Sequence, residues 1–253
     1  MAHTKIGLGA NSRWVVGSIG STRALRAADV AGTLAACDVA EIRLDLLNAE
    51  LVLPCRESWA HLVGVPLLFT ARRKDEGGAG DLDACQRMDL LRAAMADAAL
   101  LDIELASLEP MRDLVTEATA RGVPWMASFH DFEKLPATAL LETAARRAQA
   151  AGAAAFKVAA RLNNLADLVR LAEFQLSNQG LPLATMGMGA LAPVSRLLCA
   201  QCGSVLNYGY LGESPTAPGQ WDSRLLRQAI SQLHHRGNFN FLNASLGGMA
   251  ETG

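Results

Sequence analysis

Residues 124–159 read PWMASFHDFEKLPATALLETAARRAQAAGAAAFKVA. Two short apolar runs, 124–128 and 154–159, flank an alanine-rich stretch of helix length, 137–151. A strand, a helix and a second strand in that order make a βαβ unit. Gly122-Val123-Pro124 stands just ahead of the first run. Glycine accepts the left-handed turn that ends a helix and proline cannot continue one, so the pair marks a helix stop before the strand.

Reading outward in both directions, the same alternation recurs. Further strands are predicted at 14–19, 39–44, 66–70, 100–105, 183–188 and 205–210, with helix-like segments at 24–37, 82–98, 108–121, 165–178 and 223–234. Gly180-Leu181-Pro182 repeats the stop signal before 183–188. Eight such units fit a (β/α)8 barrel, an α/β fold of the TIM type. Segment counting alone also admits an open doubly wound sheet. No linker or composition break divides the chain, so residues 1–253 read as a single barrel domain, with 237–253 a polar, glycine-rich tail that is expected to be partly mobile.

The 253 residues are 51% apolar and 19% charged, enough apolar side chain for a large core and too much for a disordered chain. Aromatics are only 5%, so aliphatic side chains and alanine must fill that core. The net charge of -2 gives no basic footprint for nucleic acid, and an anionic ligand would have to be held by local cations. Charges interrupt every apolar run well before ~18 residues, so no membrane span is expected. The start of the chain has no apolar h-region, so no secretory signal is expected. Five cysteines, an odd and scattered set, argue against a disulfide scaffold and fit a reducing cytoplasm. Cys199-x-x-Cys202 has the spacing of a redox or zinc pair but no second pair beside it, and reads as ordinary buried thiols. Gly7-x-Gly9 and Gly187-x-Gly189 lack the full dinucleotide fingerprint, so no nucleotide cofactor is expected.

Charges stand where a barrel should be dry. In Glu41-Ile42-Arg43-Leu44-Asp45, strand alternation puts the three charges on one face and the aliphatic pair on the other. An edge strand would solvate that face. An internal barrel strand has no solvated face, and there the trio marks a polar site at the mouth. Asp102 and Glu104 repeat the pattern on the fourth strand and need cations beside them, with Arg43 and Lys157 as candidates and an ion-pair role for Asp102. After the third strand, Arg72-Arg73-Lys74-Asp75-Glu76-Gly77-Gly78 is either a solvated loop or, at a strand C-terminal end, part of a barrel site.

Of the five histidines, His130 alone ends a strand, where an imidazole suits proton transfer near neutral pH. His3, His61, His234 and His235 lie elsewhere. Lys157 interrupts the apolar run 154–159. Burial disfavours an ammonium and lowers its pKa, and a neutral amine attacks carbonyls. Snorkelling from the strand end is the structural alternative. Arg196, at the start of a helix-like segment, can hold a carboxylate bidentately, and Thr216 and Gln220 can hydrogen-bond hydroxyls.

Taken in order, Glu41 to Asp45, Thr70-Ala71-Arg72 through Gly78, Ser128-Phe129-His130-Asp131, Phe156-Lys157-Val158-Ala159, Thr185-Met186-Gly187-Met188, Ser195-Arg196, Gly203-Ser204 and Ala217-Pro218-Gly219-Gln220 resemble the type I 3-dehydroquinate dehydratases of the shikimate pathway. The resemblance runs from about residue 14 to 235. It implies a (β/α)8 barrel, commonly a homodimer, with no metal or organic cofactor and 3-dehydroquinate as its small-molecule substrate. It casts Lys157 as the imine-forming lysine, His130 as the general acid/base and Glu76 as the acid that assists it. Glu41, Arg43, Arg72, Arg196, Thr216 and Gln220 fall on its substrate-binding positions, with Thr216 where a serine is usual. The first strand of the family often supplies a serine, and here Gly17 or the adjacent Ser18 stands there. A class I aldolase would share the barrel lysine, and a quinate-responsive binding protein would share the scaffold.

Overall fold

The structure is a computed structural model that describes residues 6–9, 12–50, 54–177 and 179–234. In chain order it contains β1 (Trp14–Ile19), α1 (Thr22–Ala27), α2 (Val30–Ala36), β2 (Val39–Arg43), α3 (Leu44–Ala49), β3 (Leu67–Thr70), α4 (Ala84–Ala94), β4 (Leu100–Glu104) and α5 (Arg112–Ala120). It continues with β5 (Trp125–Asp131), α6 (Thr138–Ala150), β6 (Ala155–Arg161), α7 (Leu165–Leu176), β7 (Leu183–Met188), α8 (Ala192–Gln201), β8 (Leu206–Tyr210), β9 (Trp221–Asp222) and α9 (Ser223–His234). The tail 237–253 lies outside the described residues.

Every strand pairing is parallel, and the sheet order is β7-β6-β5-β4-β3-β2-β1-β8-β9. A doubly wound sheet reverses its order at an internal switch point. Here the order runs without reversal from β7 to β1, and β8 then joins β1 from the far side. The ends of the curled sheet meet at β7 and β8, where the Val205 N–H donates to the Leu183 carbonyl at 2.9 Å and the Thr185 N–H to Ser204 Oγ at 3.2 Å. The architecture is the (β/α)8 barrel, and the open-sheet alternative is excluded.

Alternation along the strands divides the apolar residues into two cores. Ile19, Ile42, Phe69, Leu101, Ile103, Phe156 and Val158 point outward into a layer shared with the helices. Val16, Val39, Leu68, Leu100, Met126, Ala155, Ala184 and Leu206 point inward and plug the barrel. Trp59 packs its ring edge-on against Phe69, with centroids 4.9 Å apart, and extends the outer layer below β3.

Several elements depart from their sequence-based bounds for local reasons. The single helix expected at 24–37 is two, because Asp29 caps a new start, its side chain accepting the Gly32 N–H at 2.8 Å. The helix expected from 108 begins at Arg112, because Pro110 disfavours helical backbone at Glu109. The helix expected at 82–98 begins after Asp83, whose side chain forms a capping box with Gln86. β5 and β6 run past the apolar runs to Asp131 and Arg161, since ladder pairing with β6 and β7 continues through polar side chains. Gly122 and Gly152 adopt φ of 63° and 82°, the left-handed turn that releases α5 and α6 toward the next strand.

Phe69→Ala removes a fully buried ring from the outer core and is expected to cost ~3–5 kcal/mol. Leu140→Ala, on an exposed face of α6, should stay within ~0.5 kcal/mol. Urea unfolding of the two variants checks the layer assignment.

Candidate active site

Two residues beyond the apolar plug, on the same inward faces, the barrel changes character. Val16, Val39, Leu68, Leu100, Met126, Ala155, Ala184 and Leu206 are followed by Ser18, Glu41, Thr70, Asp102, Ser128, Lys157, Met186 and Tyr208. One step further stand Arg43, Arg72, Glu104, His130, Ala159 and Met188. Strand register sets the lateral neighbours: Ser18 beside Glu41, Thr70 beside Asp102, Ser128 beside Lys157, and His130 beside Ala159. This end is the C-terminal mouth, where barrels carry their sites.

One cavity there is lined by all nine side chains singled out from the sequence. Glu41 and Arg43 come from β2, Arg72 and Glu76 from the segment after β3, and His130 from β5. Lys157 comes from β6, Arg196 from α8, and Thr216 and Gln220 from the connection between β8 and β9.

Asp102 is the anionic centre of this layer. It accepts from Arg72 Nη2 at 2.7 Å, from Ser128 Oγ at 2.5 Å and from Lys157 Nζ at 2.9 Å. Burial alone would raise its pKa, but the charges of Arg72 and Lys157 outweigh burial and hold it well below the usual carboxylate range. Its cations are therefore Arg72 and Lys157. Arg43, the other candidate from the sequence, is engaged elsewhere. β2 ends at Arg43, the chain turns into α3, and Asp45 curls back to bind Arg43 Nε at 2.9 Å and Nη2 at 2.6 Å. Asp45 is thus a helical residue rather than the end of the strand.

Lys157 is 4% exposed, and its Nζ lies 4.1 Å from the centre of the Tyr208 ring. Burial lowers its pKa, Asp102 opposes, Arg72 adds to the lowering, and the net direction is down. The snorkelling alternative does not apply, because the amine points into the barrel and not out to solvent.

His130 and Glu76 form a dyad. Glu76 Oε2 accepts the His130 backbone N–H at 3.0 Å and lies 3.0 Å from Nδ1 of the same residue. Both side chains are 9% exposed. Burial, then the charges of Arg72 and Lys157, push the imidazole well below its ordinary pKa, with Asp102 opposing. Burial is also the main cause that raises the Glu76 carboxyl to about 7, against the pull of Arg72 and with the help of Glu104.

Arg196 is 3% exposed; its Nη1 donates to the Tyr208 carbonyl at 2.7 Å, and its Nε has no hydrogen-bond partner. Burial lowers its pKa to about 10. Among the described residues no carboxylate pairs with it, so the site holds a buried guanidinium ready for an incoming anion. On the neighbouring β8–β9 connection the Thr216 hydroxyl donates to Gln220 Oε1 at 2.9 Å, and Gln220 Nε2 donates to Ser18 Oγ at 3.4 Å.

Sequence reasoning left Ser18 unassigned and passed over Tyr208 and Phe132 as lining residues. Ser18 faces the cavity and donates to Glu41, which also accepts from Thr70 Oγ1 at 2.8 Å; Gly17 faces outward against Cys37. The parity of Val16 as an inward residue was the available signal. Burial raises the Cys199 thiol to about 12 and the half-buried Cys202 thiol above its ordinary value, so neither is a ready thiolate. Among the described residues no cluster of three or more His, Cys, Asp or Glu is placed to hold a metal ion. Nor is any helix of these residues long and apolar enough to cross a membrane.

Residues 18–236 match the family model of type I 3-dehydroquinase. A 3-dehydroquinate dehydratase of Methanocella arvoryzae is 33% identical over 186 residues, covering 72% of this chain and 81% of its own. One from Klebsiella pneumoniae is 34% identical over 214 residues, covering 79% and 84%. Among solved structures, the 3-dehydroquinate dehydratase of Geobacillus kaustophilus superposes with a TM-score of 0.78 at 27% identity, covering 88% of this chain and 92% of that one. The type I enzyme of Clostridium difficile, solved with covalently modified comenic acid, gives 0.75 at 26% identity over 88% and 92%.

The dyad yields a direct prediction. An NMR titration of the ligand-free protein should place the His130 imidazole below 6.5, because burial and neighbouring cations both oppose its protonation. A midpoint at or above 6.5 would contradict the electrostatic description of the cavity.

Proposed function

The chain belongs to the type I 3-dehydroquinase family, and on that premise we propose that Lys157, His130 and Glu76 dehydrate 3-dehydroquinate to 3-dehydroshikimate through a Schiff base. The enzyme is a hydro-lyase, a 3-dehydroquinate dehydratase of the shikimate pathway. The observation that carries the mechanistic reading is the Lys157 amine. It lies in the same cavity as the His130–Glu76 dyad and the unpaired Arg196, and its pKa is lowered. The covalent ligand in the Clostridium difficile relative supports a site of this kind.

The chemistry follows from what a β-hydroxy ketone needs. The Lys157 amine attacks the ring ketone at C3, and loss of one water gives an iminium, which draws electrons from the adjacent C2–H bond. His130 then takes the C2 proton and leaves an enamine. Asp102, 2.9 Å from the amine nitrogen, balances the iminium charge where the ammonium stood. The enamine electrons expel the C1 hydroxyl, and the proton held by His130 leaves with it as a second water. One base serving both steps requires the proton and the hydroxyl to depart from one face, a syn elimination. A water then hydrolyses the imine and frees the lysine.

Glu76 sets which nitrogen of His130 is free. When ionised, it accepts the Nδ1 proton and leaves the Nε2 lone pair for C2. When protonated, it donates to Nδ1, and Nε2 then carries the hydrogen and cannot act as a base. Activity should therefore rise with pH through an acid limb near the Glu76 value of about 7. Arg196 would hold the substrate carboxylate, and Glu41, Arg43, Arg72, Thr216 and Gln220 the hydroxyls and their orientation.

Borohydride added with 3-dehydroquinate should inactivate the enzyme and add ligand mass to the peptide bearing Lys157. Mass on Lys74 or Lys134, or none at all during turnover, would contradict the Schiff-base reading. His130→Ala should still trap on Lys157 yet lose at least ~10²-fold in enoate formation, the low end for a positioned acid/base. Near wild-type turnover in a folded His130→Ala variant would assign the proton transfer to another residue.

A further inference from the structure

The fourth strand carries a second acid that touches neither the lysine nor the histidine. Glu104 is 1% exposed, yet both of its oxygens are fully engaged. Oε1 accepts the Arg73 backbone N–H at 3.0 Å and Arg72 Nη1 at 3.1 Å. Oε2 accepts Arg87 Nη1 at 2.8 Å and the Ser107 hydroxyl at 3.0 Å. Arg87 reaches it from α4 and is itself buried.

These contacts converge on one peptide of the segment after β3. The Arg73 carbonyl accepts the Glu76 N–H at 3.1 Å and the Gly78 N–H at 2.9 Å, forming the short turn Lys74–Glu76. With its N–H on Glu104 and its carbonyl on that turn, Arg73 is held from both sides. The segment is packed with little slack. A Cβ on Gly78 would stand 2.0 Å from the Arg72 carbonyl oxygen, and one on Gly77 would meet the Phe132 ring.

We propose that Glu104 is a positioning residue of this site: by tying the Arg73 backbone to β4, it fixes the turn from which Glu76 reaches His130. The inference rests on the dyad reading of the proposed function and adds a residue to it that contacts no substrate. It has an electrostatic consequence as well. The charged groups around Glu76 are Arg43 from β2, Arg72 and Arg73 from its own segment, Glu104 from β4 and His130 from β5. Glu104 is the acid among them, and it pushes the Glu76 carboxyl upward.

Glu104→Gln keeps the side-chain shape but removes the charge and turns one of the two accepting oxygens into a donating amide, so the Arg73 N–H or Arg87 loses its acceptor and the tie loosens. A folded variant should lose ~10–10²-fold in kcat, as expected for a displaced catalytic group, with little change in KM. Its acid limb should move to lower pH, and borohydride should still trap substrate on Lys157. An unmoved acid limb with kcat intact would overturn the proposal. If that variant does not fold, Arg87→Lys carries the test, because a single ammonium cannot reproduce the guanidinium contacts to both Glu104 and Ser107. Its kcat should fall with the turn less firmly held, while the acid limb stays in place because the Glu104 charge is retained, and a wild-type kcat would overturn the proposal. A wild-type enzyme that traps nothing on Lys157 would sink the Schiff-base reading itself, whereas normal trapping beside an unaltered variant would sink only the role of Glu104.

Discussion

An ionised carboxylate at the centre of a barrel must have cations brought to it, and Asp102 is where that demand is met. Arg72 and Lys157 both reach its oxygens, and Ser128 supplies a third donor. Arg72 is shared with Glu104, which is shared with Arg87, so the buried charges form one connected set that runs from β6 to α4. Removing one member strands its neighbours, which is why isolated truncations within such a set are costly. Burial first, and then Arg72 from this set, lower the Lys157 and His130 pKa values, while Asp102 opposes both.

The barrel makes this possible by separating two kinds of burial along one strand face. The apolar plug fills the barrel below the charged layer. Two residues higher the same face turns polar, and the next step opens into the mouth. Arg196 and the connection bearing Thr216 and Gln220 close the ring from the far side of the β7–β8 seam. Lys157 is the one cation of its layer held between an acid and an aromatic face, and the Tyr208 ring stabilises positive charge there without neutralising it.

Much of this was legible in the chain. Glu41 and Arg43 alternating with aliphatics, and a lysine inside 154–159, are patterns that an interior polar layer explains better than an edge strand or a snorkelling lysine. The ordered set of short motifs carried the site residues. What was not legible depended on geometry beyond one strand. Asp45 looked like a third inward charge, but the chain turns into α3 one residue earlier and converts it into a partner for Arg43. Of the two cations expected beside Asp102, Lys157 is there, but Arg72 and not Arg43 is the other, four residues beyond Leu68 on the neighbouring strand's inward face, where the β3–β4 register puts it. Ser18 and Gly17 could not be told apart by motif, whereas inward parity from Val16 separates them at once. His130 was visible as a strand end, but the partner of its Nδ1 is Glu76, more than fifty residues away in sequence and brought beside it by a tight glycine-bounded turn.

The account stands on the protonation of one amine. A ¹³C-lysine NMR titration of the ligand-free protein reads it directly, with an Asp102→Asn variant as the comparison. Burial and Arg72 should place the Lys157 midpoint below 10.5, and loss of the Asp102 charge, which raises it, should lower the midpoint further. A midpoint at or above 10.5, or one that rises in Asp102→Asn, would contradict the claim that burial and Arg72 hold the pKa of this lysine down against the pull of Asp102.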